Sequence, residues 1–304
     1  MESFPTARTS HPHEGQHQYR ASPFLRPHPA WCSRGFQDYS SSSLFSNGSD
    51  EPSEKLHIVS GIRCREVPLE LPIVGTVTVL EATADSQNDL VDAALEEEQD
   101  DPENNMLRSG DPYGAVLWPA AWAVAKYMLE TMDLTKISIL ELGTGTGLVS
   151  LAASLGGCQD VIATDYEPLA LKLVDYASQN LQSKPISIET ELLDMCSEDV
   201  PLPQVDLIVA ADVMYEPKTG IALAHRVVQA LKQNSRVVVG DSPGRAGRPA
   251  FLKTLQELGI DAEFRDATGK TCDGPRHELI CGPGSTSVSE TPKELPVAIL
   301  DLVP

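Results

Sequence analysis

From Tyr113 onward the chain alternates short apolar runs with longer segments of helical period, and few folds accommodate that rhythm. The runs 137–142, 160–165, 186–194, 205–215 and 236–243 read as strands. Between them, segments 147–156, 168–182, 219–233 and 248–259 place apolar residues three and four positions apart, as buried helix faces do. A further helix is expected over 115–132, with Pro119 near its first turn, and two terminal strands near 261–266 and 297–302. Regular strand–helix alternation of this length predicts an α/β, doubly wound, mainly parallel sheet.

In such a sheet ligands bind outside the carboxyl ends of the strands. The first strand ends in Glu141-Leu-Gly143-Thr144-Gly145-Thr-Gly147. Glycines here let backbone approach a ligand closely, and the following helix offers free N–H groups and a positive dipole end to an anion. The dinucleotide fingerprint G-x-G-x-x-G fails, because the sixth position from Gly143 is Leu148. The pattern that fits is an acid followed by G-x-G-x-G, which suits S-adenosyl-L-methionine, with the methionine carboxylate as the anion. Asp165 ends the next strand, 22 positions after Gly143, where a carboxylate can accept from both ribose hydroxyls. Asp194 ends the third and is placed to accept from an adenine amino group. The fourth ends in Ala210-Ala211-Asp212-Val-Met-Tyr215, two small residues that leave room and two polar ones. Nucleobase amino-methyltransferases often carry two prolines before the aromatic residue here. None lies between Asp212 and Tyr215, so an alkyl amine fits better than a flat base. Core tyrosine and loop cap are the plain structural readings of Tyr215 and Asp212.

Residues 1–55 are rich in Ser, Pro and His. Up to residue 37 they hold four arginines (8, 20, 26 and 34) against the acids Glu2 and Glu14. A disordered tail and an organelle transit peptide are both open readings, the second placing the protein in the mitochondrion or the chloroplast and the first in the cytoplasm. Segment 65–82 predicts a β-hairpin punctuated by Pro68, Pro72 and Gly75. Residues 83–110 are expected to form an acidic loop. Positions 81–104 hold ten acids and no Lys or Arg, nearly half of a net charge of −21. That charge argues against nucleic acid and admits a basic, lysine-bearing partner. No apolar run of 18 residues is present, so no membrane span is expected. Six cysteines without C-x-x-C or zinc spacing read as reduced, mostly buried thiols of an intracellular protein; a monomer is expected, and no metal is required.

The strand-end constellation and three further motifs resemble the seven-strand protein-lysine methyltransferases over roughly residues 65–304. The family's entry segment P-Y-x-x-x-x-W-P matches Pro112-Tyr113 through Trp118-Pro119. Its D-x-x-Y motif matches Asp212 to Tyr215, and its G-D-P-G-R-P stretch appears as Gly240-Asp241-Ser242-Pro243-Gly244-Arg245. A second Gly-Arg-Pro follows at 247–249, so Arg245 and Arg248 compete for one role. Within the family the chain is most similar to the enzymes acting on electron transfer flavoprotein beta subunit. The resemblance implies a class I S-adenosylmethionine-dependent methyltransferase domain over 111–304 with a seven-stranded sheet, methyl transfer to a protein lysine, cofactor contacts from Trp118, Glu141, Gly143, Thr144, Gly145, Gly147, Asp165, Asp194 and Ala211, and catalytic roles for Asp212 and Tyr215. It also makes electron transfer flavoprotein beta subunit a candidate partner. A small-molecule or RNA methyltransferase and a non-catalytic cofactor-binding scaffold are the alternatives.

Overall fold

The computed structural model describes residues 55–100, 113–197, 199–270 and 294–304, all within the unit Ser49–Pro304. The readings of residues 1–54 as tail or transit peptide lie outside the described residues.

Seven strands form the main sheet: β4 (Ser138–Leu142), β5 (Asp160–Asp165), β6 (Glu189–Leu192), β7 (Leu207–Ala211), β8 (Arg236–Asp241), β9 (Arg265–Lys270) and β10 (Glu294–Leu302), in the order β6-β5-β4-β7-β8-β10-β9. Neighbours from β6 to β8 are parallel, and β10 runs antiparallel to both β8 and β9. The helices of the sheet layers are α2 (Pro119–Thr131), α3 (Leu148–Leu155), α4 (Pro168–Asn180), α5 (Pro217–Lys232) and α6 (Gly247–Glu257). This is the expected doubly wound α/β architecture. Its topology is the seven-strand one, with the order reversing between β4 and β7.

The two-residue period of the central strands sorts their side chains between two cores. Ile139, Leu207, Val209 and Val238 join the layer of α2 and α3. Leu140, Leu142, Ile208, Ala210, Val237 and Val239 join that of α5 and α6. Each apolar run therefore serves both faces, which is why it reads as continuous rather than alternating.

The N-terminal element is larger than a hairpin. Strands β2 (Ile62–Leu71) and β3 (Gly75–Ala82) pair as expected, and β1 (Leu56–Val59) adds a third antiparallel strand. Val59, Cys64, Leu80 and Ala82 of this small sheet pack with Leu169 and Leu173 of α4. Two hydrogen bonds between Gln182 and the backbone of Thr78 fix it further. Its last strand ends against the entry segment, where Ala82 N–H donates to the Ala115 carbonyl at 2.9 Å.

The acidic stretch is not a loop over its described part: α1 spans Ala84–Asp100. Glu, Ala, Leu and Gln are good helix formers, and Leu90 packs onto the small sheet's core. Charge density masked this helical propensity in the sequence. Residues 101–110 of the expected loop lie outside the described residues.

The layer of α5 and α6 is set by two glycines. A Cβ on Gly220 would stand 2.2 Å from the Gly247 carbonyl oxygen, and one on Gly247 would stand 2.4 Å from that of Glu216. Both obstacles are backbone, so neither can yield by a rotamer change. Gly220→Ala should therefore lower unfolding free energy by about 1–3 kcal/mol, the usual cost of overpacking, although alanine is the better helix former. Urea unfolding followed by circular dichroism measures this, and a midpoint at or above wild type would disprove the close contact.

Candidate active site

The site lies at the carboxyl ends of β5, β4 and β7. After β4 the chain turns through Gly143, Gly145 and Gly147 at φ of 71°, 51° and 82°, a region that β-carbons disfavour. Space adds a second constraint, since a Cβ on Gly143 would meet Val213 at 2.6 Å and one on Gly145 would meet the Gly114 carbonyl oxygen at 3.3 Å. The entry segment thus lies over the turn, and the residue after Asp212 lies against it.

Two carboxylates hold the turn in shape. Asp165 accepts from Gly145 N–H at 3.0 Å through one oxygen and from Glu167 N–H at 3.0 Å through the other. Glu141, buried beneath the turn, accepts through Oε2 from the Thr144 hydroxyl and from the N–H and hydroxyl of Ser150. Thr144 therefore spends its hydroxyl on the support of the turn, and its own N–H donates to the Thr164 carbonyl at 2.8 Å. Glu141 and Thr144, expected as cofactor contacts, act beneath the surface that a ligand would touch.

Helix α3 begins at Gly147, which has no side chain to cap it; Glu141 already takes the Ser150 N–H from beneath, and the N–H groups of Leu148 and Val149 ahead of it suit an anion. Asp165 is buried at the end of β5, 5% exposed, and each carboxylate oxygen can accept more than one donor. Beside it the Tyr166 ring is 46% exposed, an aromatic face that the sequence reading did not single out. Asp194 is exposed and closes a tight turn by accepting from Cys196 N–H at 2.8 Å. Trp118 ends the entry segment, its indole N–H donating to the Tyr113 carbonyl at 3.0 Å. Ala211 is partly exposed at the end of β7. The first N–H groups of α3, a glycine surface, the Asp165 carboxylate and flanking aromatics fit the amino-acid end, the ribose and the flat base of S-adenosylmethionine.

Asp212 departs from its expected place. Its backbone stands at the reacting end, at a φ of 58°, a value that aspartate tolerates better than most residues. The carboxylate turns inward and is buried. Oδ2 accepts from Ala120 N–H at 3.0 Å and the Ser242 hydroxyl at 2.8 Å, while Oδ1 accepts from Ser242 N–H at 2.8 Å and Arg245 Nε–H at 3.2 Å. Four donors occupy it, so it fastens the start of α2 and the segment after β8 to the end of β7. Tyr215 is 47% exposed and presents its ring at the rim. The two competing arginines also separate. Arg245 pairs with Asp212 and covers the Trp118 ring at 4.6 Å, whereas Arg248 pairs with Asp241 and covers Phe264 at 5.1 Å. Sequence signals alone could not separate them, because both follow a glycine within four residues.

Two outcomes follow from these carboxylates. Asp212→Asn keeps the shape but turns an amide NH2 toward groups that can only donate or already do so. It should destabilise the fold by about 2–4 kcal/mol, the loss of bonds to a charged acceptor plus a buried mismatch. A denaturation midpoint equal to wild type would return Asp212 to the open site. For Glu141, burial raises the pKa from 4.5 to about 7, with the Ser150 and Thr144 donors acting in the opposite sense. The folded protein then holds this proton more tightly than the unfolded chain does. The associated stability is complete below pH 4.5 and is lost as pH rises to about 7. Stability measured across that window should fall less in Glu141→Gln than in wild type, by up to about 3 kcal/mol. Parallel pH profiles in the two proteins would show that Glu141 stays ionised when folded.

The lysine methyltransferase family profile matches residues 104–258, just over half of the chain. Electron transfer flavoprotein beta subunit lysine methyltransferase of Homo sapiens is 30% identical over 147 residues, 46% of this chain and 52% of that protein. Its Xenopus laevis counterpart is 30% identical over 153 residues, 49% of this chain and 60% of that protein. Protein-lysine methyltransferase METTL21E of Bos taurus is 39% identical over 115 residues, 34% of this chain and 39% of that protein. The chain spans about half the length of the curated relatives it matches. The matched region carries β4 to β8, the glycine turn, Asp165 and the Asp212 cluster, and by that match the chain belongs to the lysine methyltransferase family.

Proposed function

We propose that this protein transfers a methyl group from S-adenosylmethionine to the side-chain amine of a protein lysine. The observation that carries the reading is the glycine turn held from two sides, by Asp165 through Gly145 N–H and by Glu141 through Thr144 and Ser150. That surface is built at the strand ends, where this sheet type binds ligands. When bound, the cofactor supplies an electrophilic methyl on a sulfonium.

The residues then have separable tasks. The N–H groups of Leu148 and Val149 at the start of α3 would receive the carboxylate end, and Asp165 the ribose. Trp118 and Tyr166 wall the site with aromatic faces. Ala211 leaves space beside the end of β7, and Tyr215 packs the aliphatic stem of the incoming lysine. A lysine arrives protonated, with a pKa of about 10.4, and must lose its proton before the nitrogen can attack. Solvent at the open rim takes that proton. Asp212, with its acceptor sites filled, serves instead by holding Ala211 and Tyr215 in place, a positioning task. With the cofactor in place, Asp212, Ala211 and Tyr215 would hold the neutral amine where it could accept the methyl from sulfur.

The relatives' names make electron transfer flavoprotein beta subunit the first substrate to test. The net charge of −21 favours a basic, lysine-bearing protein surface over nucleic acid. Labelled cofactor with that purified subunit should give methyl-lysine by mass spectrometry. Asp165→Ala should weaken S-adenosylhomocysteine binding by about 2–3 kcal/mol, since it removes charge-assisted bonds and releases the turn. Calorimetry showing wild-type affinity in a folded variant would remove Asp165 from the site. Methyl incorporation into a residue other than lysine would overturn the substrate class.

A further inference from the structure

Arg248 matches every buried donor it has to an acceptor. Nε donates to Asp241, Nη2 donates to the carbonyls of Asp241 and Ser242 at 2.9 Å each, and the guanidinium covers Phe264. Arg245 does not. Its Nε is bonded to Asp212 and its plane covers Trp118, but its Nη2 is buried with no acceptor among the described residues. The side chain is 16% exposed. A guanidinium cannot shed its proton to escape this situation, and a buried charged donor without an acceptor is costly. The other two buried atoms in this state, on Gln233 and Asp241, are acceptor oxygens. Asp241 can relieve its own by protonation, since burial raises its pKa to about 7.

The position of Arg245 suggests what would satisfy it. In sheet order β4 stands between β5, which ends in Asp165, and β7, which Asp212 follows. Val213 packs against Gly143, and the Trp118 entry segment lies over Gly145 through Gly114. Arg245 therefore flanks the glycine turn on the side away from the ribose carboxylate. A ligand laid across the strand ends with its ribose at Asp165 brings its other end toward this side. In S-adenosylmethionine that end is an amino acid with a carboxylate, the group whose geometry a guanidinium matches.

Resting on the function proposed above, we infer that Arg245 binds the methionine carboxylate of the methyl donor through Nη2, with the Trp118 ring tilting aside to admit it. The indole is fastened through its N–H to Tyr113 alone among the hydrogen bonds described for it, so a tilt need not disturb α2. One carboxylate oxygen then faces the N–H groups at the start of α3 and the other faces Arg245. The pair Arg245–Asp212 keeps its existing bond.

Two ligands that differ only in the amino acid portion test this: S-adenosylhomocysteine and 5′-methylthioadenosine. In Arg245→Gln the affinity for the homocysteine should fall about 10- to 100-fold, the scale of a hydrogen bond to a charged group, while that for methylthioadenosine stays within about twofold. Arg245→Lys, which keeps the charge and loses the fork, should lie between, and it replaces the glutamine variant if that one fails to fold. Tryptophan emission should change when the homocysteine is added to wild type and should not in Trp118→Phe. Equal losses for both ligands would make Arg245 a strut of the fold and overturn the assignment, as would unchanged homocysteine affinity or a silent Trp118. If wild type binds neither ligand, the function itself fails and this assignment with it.

Discussion

The buried carboxylate of Asp212 is the point on which the site's two halves depend. It gathers four donors from three places: the first turn of α2, the segment after β8, and the side chain of Arg245. A buried ionised carboxylate is costly unless its lone pairs are used. Here they are, and the donors include a full positive charge. The ordering this imposes is long in range, because Ala120 and Ser242 lie 92 and 30 residues away along the chain. Without it the entry segment, the rim at Tyr215 and the Arg245 stack on Trp118 would have no common anchor.

A pair of carboxylates does for the glycine turn what Asp212 does for the reacting end. Gly143, Gly145 and Gly147 give the chain freedom to enter the left-handed region, which leaves the turn without intrinsic shape. Asp165 and Glu141 supply that shape from above and below. The binding surface is therefore preorganised by groups that a ligand touches and by groups it never reaches, and the small sheet of β1 to β3 buttresses the entry segment from behind through Ala82 and Ala115. Three buried acids of the site thus have different duties: Asp165 ties Gly145 to the start of the segment after β5, Glu141 ties the turn to α3, and Asp212 ties α2 to the segment after β8.

Much of this was legible in the sequence because it is written in local pattern. Strand–helix periodicity gave the sheet and its layers, and the acid-glycine signature at 141–147 with Asp165 gave the ligand surface. The entry segment, the D-x-x-Y motif and the glycine-arginine stretch pointed to the lysine methyltransferase family. Where the reading fell short, the missing information was directional. Residue type and position put Asp212 at a strand end but could not say which way its carboxylate points, since that is set by Ala120, Ser242 and Arg245 arriving from elsewhere. Thr144 and Glu141, expected as cofactor contacts, spend a hydrogen bond on one another, which spacing along the chain does not reveal. The helix α1 was hidden by its charge, because a run of acids reads as solvated chain whether or not it is helical.

The sequence by itself determined the α/β class, the order of elements, the glycine turn and the identity of the acids around it, since each depends on propensity, period and spacing along the chain. Only the tertiary structure decided which donors each acid takes, and which of two arginines lies against Trp118. Those outcomes depend on backbone donors and aromatic faces brought together from distant segments, and a hydrogen bond between such segments leaves no mark on the local pattern of either one.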